Sequence, residues 1–455
     1  AYMIDDEGKA ASYPDKNDAQ KILDSLTGEA EVLSFDKTTK KTQPDQLYKL
    51  TDIQVEAGSK YGYTPEKTLE LIQSLYEKHK LISYPRTDGR YVSTEKSKDF
   101  ARLLKAVEAM PGLTDIAKAI TPDAIKAAQA NKRFVNDAEV QKSSHDALIP
   151  TGETSAINNL TGDEMNICEM IFKRFLAIFM PPLEEEKTKA VLSDNGVKFS
   201  CTGSKVLKPG FTVLFSNPKE APLPNMAAGQ KLKEKEKSLH EIVSKPPARF
   251  TQATLLKAME NVQKYMAADE TELKNAMKKA GGIGQPSSRA AIIAELVSTG
   301  YMEDVKSGRG KGLHITESGK RYIENLGTSS IVSPELSAQW EVYMNDIREG
   351  NMTYDEVYEK VIEYVYQSLK ELEDMHIQKV ASGNRKEVGK CPKCGKPVVA
   401  LSKGYGCSGY PDCDFSIFKT IAGVSLTDKN VADLLAGRTT DVISGFKKKD
   451  GGTFS

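Results

Sequence analysis

A tyrosine and two arginines share one short polar loop early in the chain. Residues 81–93 read Leu-Ile-Ser-Tyr-Pro-Arg-Thr-Asp-Gly-Arg-Tyr-Val-Ser, which places Tyr84 two positions before Arg86. The ring of Pro85 disfavours helical geometry for the residue before it, so Tyr84 is expected to be extended and presented outward. A phenol can attack a phosphodiester when a nearby cation favours the phenolate and neutralises the phosphate oxygens. The spacing therefore predicts a nucleophilic tyrosine beside phosphate-binding Arg86 and Arg90, or else a packing tyrosine beside solvated charges.

Two amphipathic helices are predicted to hold this loop. Thr64-Pro65 is a typical helix start, and apolar residues then recur at helical spacing as far as Lys80. The same periodicity returns over residues 95–110. The loop is therefore expected to lie between two helices on a firm scaffold.

A cysteine cluster is the second chemical feature. Its members form a Cys-x2-Cys pair and a Cys-x5-Cys pair twelve residues apart: Cys391, Cys394, Cys407 and Cys413. Four thiolates can surround Zn²⁺ tetrahedrally, with tight turns at Gly395 and Gly404, whereas two disulfides or a metal-free ribbon are the alternatives. A reducing compartment favours the metal. The remaining Cys168 and Cys201 stand alone and are expected in the core.

Five segments, in order along the chain, carry a resemblance to the type IA DNA topoisomerases. Residues 84–88, Tyr-Pro-Arg-Thr-Asp, resemble the active-site segment, and their proline form resembles the topoisomerase III branch. The other four segments are residues 47–54 with 74–80, residues 144–151, residues 247–256 and residues 282–289. The likeness covers roughly residues 40–330.

The resemblance implies a reaction and roles for three side chains. Tyr84 would be the nucleophile that forms a 5′-phosphotyrosine with one DNA strand while another strand or segment passes through the break. Arg86 would contact the scissile phosphate, and His145 would assist near it. Because transesterification conserves the bond energy, resealing would need no ATP.

The resemblance also implies that the partner is single-stranded DNA or a DNA junction. The predicted DNA-contacting residues are Arg90, Arg249, Thr251, Ser287, Ser288 and Arg289. The chain has 63 basic and 63 acidic residues, so DNA binding must depend on local patches rather than on net charge. Three positions depart from the family pattern: Gly89 replaces a usual serine, Gln252 replaces a common glutamate, and residues 285–288 replace a Thr-Pro-Ala-Thr form.

Magnesium is expected to depend on another domain. The family's metal-binding Toprim domain carries a glutamate and an Asp-x-Asp-x-Asp run that should precede the active-site region, and these 455 residues contain no such run. Asp5-Asp6-Glu7 lacks the alternating spacing and is read as a solvated turn. The sequence therefore predicts a fragment that cleaves and reseals DNA poorly alone, with Mg²⁺ sited in the domain it lacks.

The chain lacks the motifs of two other classes of DNA-cleaving enzyme. A tyrosine recombinase needs a His-x-x-Arg arrangement and a relaxase needs His-x-His, and neither pattern occurs. A non-catalytic single-stranded DNA-binding module and the topoisomerase I branch remain alternatives. No apolar run approaches the ~20 residues of a membrane-spanning helix. The expected location is the cytoplasm, in association with the nucleoid.

The predicted fold is α+β and multidomain, with type IA gate (toroidal) domains. Residues 1–45 with 187–245 are expected to form a strand-rich gate domain, including a strand near 211–215, and residues 46–186 a helical domain with the tyrosine. Residues 246–380 are predicted to form a helical, winged-helix-like domain with helices over 251–261 and from 285 to the residue before Gly300, and with a basic hairpin turn at 307–312. A linker at 381–386, a zinc ribbon at 388–422 and an accessory module at 423–455 follow. The ribbon's resemblance to those at the C-terminal end of topoisomerases implies that its aromatic side chains stack on bases: Tyr405, Tyr410, Phe415 and Phe418.

Overall fold

The computed structural model describes residues 1–216, 218–307, 310–327, 329–374, 387–401, 404–410, 412–448 and 452–455. The chain divides into two units, Ala1–Glu295 with Asp304–Leu313, and Leu296–Glu303 with His314–Ser455. The predicted domain of residues 246–380 contributes to both units. The predicted linker at 381–386 lies outside the described residues, and the domain boundaries stay predictions.

An antiparallel sheet forms the strand-rich part of the first unit. Its strands are β1 (Tyr2–Met3), β2 (Glu29–Thr42), β3 (Leu183–Asp194), β4 (Val197–Lys208) and β5 (Lys231–Lys233), in the order β1-β4-β3-β2-β5. Asn195 and Gly196 both have positive φ, at 50° and 80°, which suits the two-residue turn between β3 and β4. The sheet thus joins residues from both sides of the helical insertion.

The segment around residues 211–215 was predicted as a strand, and that prediction is wrong. Gly210–Leu214 forms a 3₁₀ turn instead. A Cβ on Gly210 would lie 2.3 Å from the carbonyl oxygen of Pro182, so the chain passes close to that backbone and turns back. Leu214 is buried in the helical core and Phe211 packs against it, which a strand at this position would not allow.

Helices make up most of the rest of the first unit. They are α1 (Lys16–Ser25), α2 (Leu50–Tyr61), α3 (Pro65–Glu77), α4 (Thr94–Ser97), α5 (Phe100–Glu108), α6 (Thr114–Lys118), α7 (Pro122–Ala130), α8 (Asp137–Ser143) and α9 (Gly162–Ala177). Phe100, Phe175 and Phe179 pack edge to face at the centre of their core, with ring centroids 5.1–5.6 Å apart. This core is the scaffold on which the Tyr84 loop is built.

The helices that flank the loop largely follow the sequence signals. Thr64 caps α3, and its hydroxyl accepts a hydrogen bond from the amide of Lys67 at 3.1 Å, which confirms the predicted helix start. The second predicted helix is interrupted, because α4 ends at Ser97 and α5 begins at Phe100. The loop is therefore anchored by α3 on one side and by a short helical turn on the other.

A buried carboxylate joins α3 to α9. Burial raises the pKa of Glu164, but hydrogen bonds from Ser74, Thr161 and His79 outweigh burial and lower this pKa to about 2, against an ordinary value of 4.5. Ser74 Oγ donates to Glu164 Oε1 at 2.6 Å. Because the folded-state pKa is depressed, the stabilisation is fully present above pH 4.5 and is lost as the pH falls toward 2.

We therefore expect Glu164→Gln to destabilise the protein by about 3 kcal/mol at pH 7, an order-of-magnitude figure from the difference between the two pKa values. The gap between the parent chain and the variant should close as the pH falls from about 5 to 2, since the parent carboxyl is then protonated. Urea unfolding at several pH values measures this gap. A gap that does not change with pH would contradict the assignment.

Three helices and a hairpin follow the sheet. They are α10 (Gln252–Glu260), α11 (Thr271–Lys279), α12 (Pro286–Ser298), β6 (Met302–Ser307) and β7 (Gly310–Ile315). The helix predictions for α10 and α12 are confirmed within two residues, while α11 was not predicted. The hairpin was predicted with a longer turn, and residues 308–309 of that turn lie outside the described residues.

The second unit contains a helical stretch and a cysteine-rich end. Its elements are α13 (Glu317–Leu326), α14 (Pro334–Glu349), α15 (Tyr354–Asp374), β8 (Glu387–Lys390), β9 (Pro397–Ala400), β10 (Gly404–Cys407), β11 (Ser416–Phe418), β12 (Thr420–Ile421), β13 (Val424–Ser425), α16 (Asp428–Leu435), β14 (Phe446–Lys447) and β15 (Thr453–Phe454). Leu426 and Val431 share one core with Val398 and Tyr405, so the predicted ribbon and accessory module pack together. Among the described helices, none is both long and apolar enough to cross a bilayer.

Candidate active site

The loop that carries Tyr84 is fixed by backbone contacts on both sides. Ser83 donates from its amide to the carbonyl of Ile149 at 2.9 Å, and its hydroxyl donates to the carbonyl of Ala147 at 2.9 Å. Thr87 is fully buried, and its carbonyl accepts from the amide of Leu50 at 2.9 Å. Tyr84 itself is 38% exposed. The phenol is thus reachable from solvent on a backbone that is held firmly.

His145 lies against the tyrosine ring. The ring centroids of Tyr84 and His145 are 4.6 Å apart with planes tilted by 42°, and the Tyr76 ring packs edge-on to Tyr84 at 5.8 Å. His145 is exposed at the end of α8, where Ser144 adopts a left-handed conformation with φ of 60°. The structure therefore brings together the predicted nucleophile and the predicted assisting histidine, which are 61 residues apart in sequence.

Gly89 controls how closely the histidine segment approaches the loop. A Cβ added at Gly89 would lie 2.5 Å from the carbonyl oxygen of His145 and 2.6 Å from Ser143 Oγ. Both distances are far below normal contact, so a side chain here would displace the backbone that carries His145. The Cβ of a serine, the residue expected at this position from the family resemblance, would clash with the same two oxygens.

Arg86 extends from the loop toward the start of α12. Its side chain is exposed, and Nη1 donates to the carbonyl of Ser287 at 3.4 Å. The amides of Ser288 and Arg289 both donate to the carbonyl of Gln285, so these two amides are already engaged within the first helical turn. The structure therefore places Arg86 next to Ser287 and leaves the side chains of Ser287 and Ser288, rather than the amides of Ser288 and Arg289, as the groups that a phosphate could contact here.

Arg289 is a buried structural residue in this arrangement. It is 1% exposed, its Nε donates to the carbonyl of Ile283 at 2.9 Å, and its Nη2 donates to the carbonyl of Gly281 at 2.6 Å. Burial lowers the pKa of its guanidinium, and the carboxylate of Asp88 opposes that shift. Arg289 thus holds the glycine-rich turn before α12 and interacts electrostatically with Asp88 of the Tyr84 loop.

Arg90 is also engaged with protein. Its Nε and Nη2 donate to the two carboxylate oxygens of Asp52, each at 2.7 Å, in a bidentate pair. Arg249 is exposed, and Thr251 caps α10 by accepting from the amide of Thr254 at 3.1 Å. Of the predicted DNA-contacting residues, Arg249 has the most accessible charge, whereas Arg90 would have to leave Asp52 to reach a phosphate.

A network of charged side chains beside the loop was missed by sequence reasoning. Lys49 forms an ion pair with Glu260, and Lys257 contacts both Glu260 at 2.8 Å and Asp52 at 3.5 Å. Burial lowers the pKa of the Lys49 ammonium to about 8, against the opposing effect of Asp52. No local motif signals these pairs, because Lys49 and Glu260 are 211 residues apart.

The four clustered cysteines meet at one point in the second unit. Their sulfur atoms all lie within 4.8 Å of one another, with Cys391 and Cys413 at 3.7 Å and Cys394 and Cys407 at 3.3 Å. The edge of a tetrahedron of thiolates around Zn²⁺ is about 3.8 Å, given Zn–S bonds of about 2.3 Å. This donor set therefore fits Zn²⁺.

The turns around the cysteines differ in part from expectation. Gly395 has a positive φ of 75° and forms the tight turn after Cys394, as predicted. Gly404 lies in β10 instead, where a Cβ would be 2.5 Å from the carbonyl oxygen of Ile417. Gly404 is therefore required for close passage of neighbouring strands rather than for a turn.

The aromatic side chains predicted to stack on bases are not equally available. Tyr405 is 1% exposed and its hydroxyl donates to Asp428 Oδ1 at 3.0 Å, so the prediction that it stacks on bases is wrong. Phe415 packs partly buried against the same core. Tyr410 and Phe418 are 78% and 77% exposed and remain candidates.

Comparisons with known proteins agree with this geometry. The chain matches the family described as DNA topoisomerase over residues 2–359, and the family described as the C-terminal repeat of topoisomerase over residues 412–455. It is 33% identical over 415 residues to DNA topoisomerase 3 of Bacillus licheniformis, and 30% identical over 416 residues to that of Bacillus subtilis. Each alignment covers 87% of this chain and 55% of the relative, so the chain spans about half the length of these relatives.

A solved structure supports the fold. Full-length topoisomerase I from Thermotoga maritima aligns with a TM-score of 0.58 and 24% identity, covering 92% of this chain and 64% of that one. The fold is therefore the mixed helix and sheet fold of that enzyme. The family match over residues 2–359 shows that the chain belongs to the type IA DNA topoisomerases, and the two relatives of 30–33% identity are both named DNA topoisomerase 3.

Proposed function

We propose that this chain carries the strand-cleaving tyrosine of a type IA topoisomerase, which breaks one DNA strand, passes DNA through the break and reseals it. The observation that supports this most strongly is the exposed Tyr84 phenol packed against His145 on a firmly held loop with Arg86. A tyrosine kept only for packing would be expected to bury its ring. The substrate would be single-stranded DNA or a DNA junction, and the physiological outcome relaxation or decatenation.

The proposed chemistry is a transesterification. Tyr84 Oη attacks the phosphorus, an Oη–P bond forms, and the bond from phosphorus to the 3′ oxygen breaks. The phenolic proton leaves and the departing 3′ oxygen takes up a proton, so nothing is oxidised or hydrolysed, and the reverse reaction reseals the strand. Arg86 would bind the nonbridging oxygens, and His145, beside the phenol, would hydrogen-bond at the reacting phosphate.

The DNA strand would approach Tyr84 along the start of α10 and α12. Exposed Arg249 would bind a phosphate, and the side chains of Thr251, Ser287 and Ser288 would position the backbone. The three helices with the β6–β7 hairpin have the order of a winged-helix-like module, and we propose that they act as one. Such a protein would work in the cytoplasm, at the nucleoid.

The described residues offer a site for Zn²⁺ but none for Mg²⁺. The four-cysteine cluster would hold Zn²⁺ in a C-terminal ribbon, with Tyr410 and Phe418 exposed for stacking on bases. For Mg²⁺, the described residues contain no other cluster of three or more ligating side chains, so they do not fit this ion. The residues that would hold the family's Mg²⁺ are therefore not among the described residues.

A labelled DNA strand tests the proposed function. The purified chain is mixed with a single strand labelled at its 3′ end and Mg²⁺, with and without a topoisomerase metal-binding domain added in trans. A 5′-phosphotyrosine retains the 3′ label on the protein, whereas a strand labelled at its 5′ end should release a shortened free fragment. Salt-sensitive strand binding without an adduct under either condition would contradict the proposal and favour a non-catalytic binding module.

The close approach of the His145 segment to Gly89 predicts that a side chain at position 89 slows adduct formation. Gly89→Ala should displace the His145 segment from the Tyr84 ring and lower the rate of adduct formation about tenfold, with destabilisation of about 1–3 kcal/mol. Adduct time courses and urea unfolding measure the two effects. Gly162→Ala is the matched control, because a Cβ there meets nothing within 4 Å. Equal rates for both variants would show that the close approach at Gly89 does not position His145.

A further inference from the structure

Five side chains of alternating charge form a continuous chain beside the active-site loop. Arg90 pairs with Asp52, Asp52 lies 3.5 Å from Lys257, Lys257 lies 2.8 Å from Glu260, and Glu260 pairs with Lys49. The side chains of Lys49 and Glu260 are only 14% and 13% exposed. Each charge in the series therefore has a neighbour of opposite sign.

The network connects two stretches that are distant in sequence. Lys49, Asp52 and Arg90 belong to residues 46–186, named here the tyrosine part, whereas Lys257 and Glu260 lie on α10. Within the tyrosine part, Lys49 is coupled directly to the Tyr84 loop, because the next residue, Leu50, donates its amide to the carbonyl of Thr87. Two of the ion pairs, Lys49 with Glu260 and Asp52 with Lys257, therefore hold α10 against the part that carries Tyr84.

Little apolar surface supports the same contact. Leu256, Ala290 and Ile293 form a small buried cluster, and Val55 of α2 packs against it. The helices α2 and α10 approach closely at Gly58, where a Cβ would lie 2.8 Å from that of Ala253. A contact with few large apolar side chains and several charges can separate without exposing a large core.

Opening of the break requires such a separation. One DNA end stays covalently attached to Tyr84, so another DNA segment can pass only if the tyrosine part moves away from the elements that hold the other end. The contacts of α10 with α2 would have to break for this movement to occur. We propose that Lys49, Asp52, Lys257 and Glu260 form an ionic latch that holds α10 on the tyrosine part until DNA passage, an inference that rests on the proposed function.

The latch makes a distinctive prediction about paired substitutions. Removing one member of a buried ion pair leaves an uncompensated charge, whereas replacing both by apolar residues of similar volume is close to neutral. Lys49→Met removes the more buried of the two cations that pair with Glu260, so it should raise the ratio of open to closed molecules on the order of 100-fold. Lys49→Met with Glu260→Met should return it close to that of the parent chain. Lys257 also lines a cavity of about 560 Å³, so Lys257→Gln, next to solvent, should open the contact more modestly.

Distances between spin labels test the latch without DNA. Lys126 on α7 and Lys278 on α11 are replaced by a keto-bearing amino acid and labelled, which leaves all six cysteines intact, and pulsed electron resonance gives the distance distribution. The parent chain should show one short distance, and Lys49→Met a major population at longer distance. Glu56→Gln is the control, because Glu56 on α2 pairs with Arg174 inside the tyrosine part, so this variant should keep the short distance.

The outcomes separate the latch from the proposed function. A folded Lys49→Met chain that keeps the single short distance, or a double variant that opens as much as the single one, would overturn the latch. If Lys49→Met does not fold, the spin-label distance is measured in Lys257→Gln instead. A distance in Lys257→Gln that equals that of the parent chain would also overturn the latch. The latch test uses no cleavage, so a missing DNA adduct with latch opening intact would count against the proposed function alone.

Discussion

Replacement of Tyr84 by phenylalanine is expected to abolish the covalent protein–DNA adduct. The variant loses one oxygen, the atom that would bond to phosphorus, while the ring that packs against His145 and Tyr76 remains. We expect adduct to fall below detection in the complemented reaction, with binding of single-stranded DNA unchanged within about twofold because the phosphate contacts persist. Gel separation under denaturing conditions and a binding titration measure the two quantities.

Tyr76→Phe is the matched control for this experiment. Tyr76 sits edge-on to the Tyr84 ring at 5.8 Å, so the control removes a neighbouring phenol from the same cluster. It should leave adduct formation within a factor of a few of the parent chain. Adduct that persists in Tyr84→Phe but disappears in Tyr76→Phe would contradict the proposal and show that Tyr76 is the nucleophile.

Replacement of Cys407 by serine is expected to remove zinc and unfold the C-terminal core. Cys407 is buried, its sulfur accepts from the amide of Gly409 at 3.3 Å, and it lies 3.3 Å from the sulfur of Cys394. Structural zinc contributes apparent binding energies of about 10–16 kcal/mol in small zinc domains, far more than this small core can replace. Zinc content should drop from about one ion per chain to near zero.

Loss of structure is measured together with zinc content. Amide exchange over residues 388–435 should become fast in Cys407→Ser, because Val398, Tyr405 and Val431 pack directly around the cysteines. Cys201→Ser, which changes a cysteine outside the cluster, should keep both zinc and protection. A parent chain that binds no zinc, or a Cys407→Ser chain that keeps one ion, would contradict the metal assignment.

Local signals explain what the sequence predicted well. The Thr64-Pro65 start of α3 depends on a cap and a fixed proline φ, both of which act within four residues. The cysteine spacing needs only two short turns to bring the sulfurs together. The nucleophile loop was found for the same reason, since Tyr84 and Arg86 are neighbours in sequence.

Long-range packing explains what the sequence missed. Arg289 was predicted to contact DNA, but it is buried and its guanidinium donates to the carbonyls of Gly281 and Ile283. Those acceptors come together only when the turn before α12 folds. Tyr405 was expected to stack on bases, yet its burial depends on Leu426. The pair of Lys49 with Glu260 follows only from the packing of α10 on α2, which no local pattern reports.

The most direct test of the central claim is mass spectrometry of the covalent adduct. The complemented reaction is denatured, the DNA is trimmed by nuclease, and the protein is digested with trypsin, which should release Tyr84 in the peptide of residues 81–86. The account predicts that this peptide carries a 5′-linked nucleotide on Tyr84. A nucleotide on any other residue, or an adduct whose DNA is attached through its 3′ end, would contradict it.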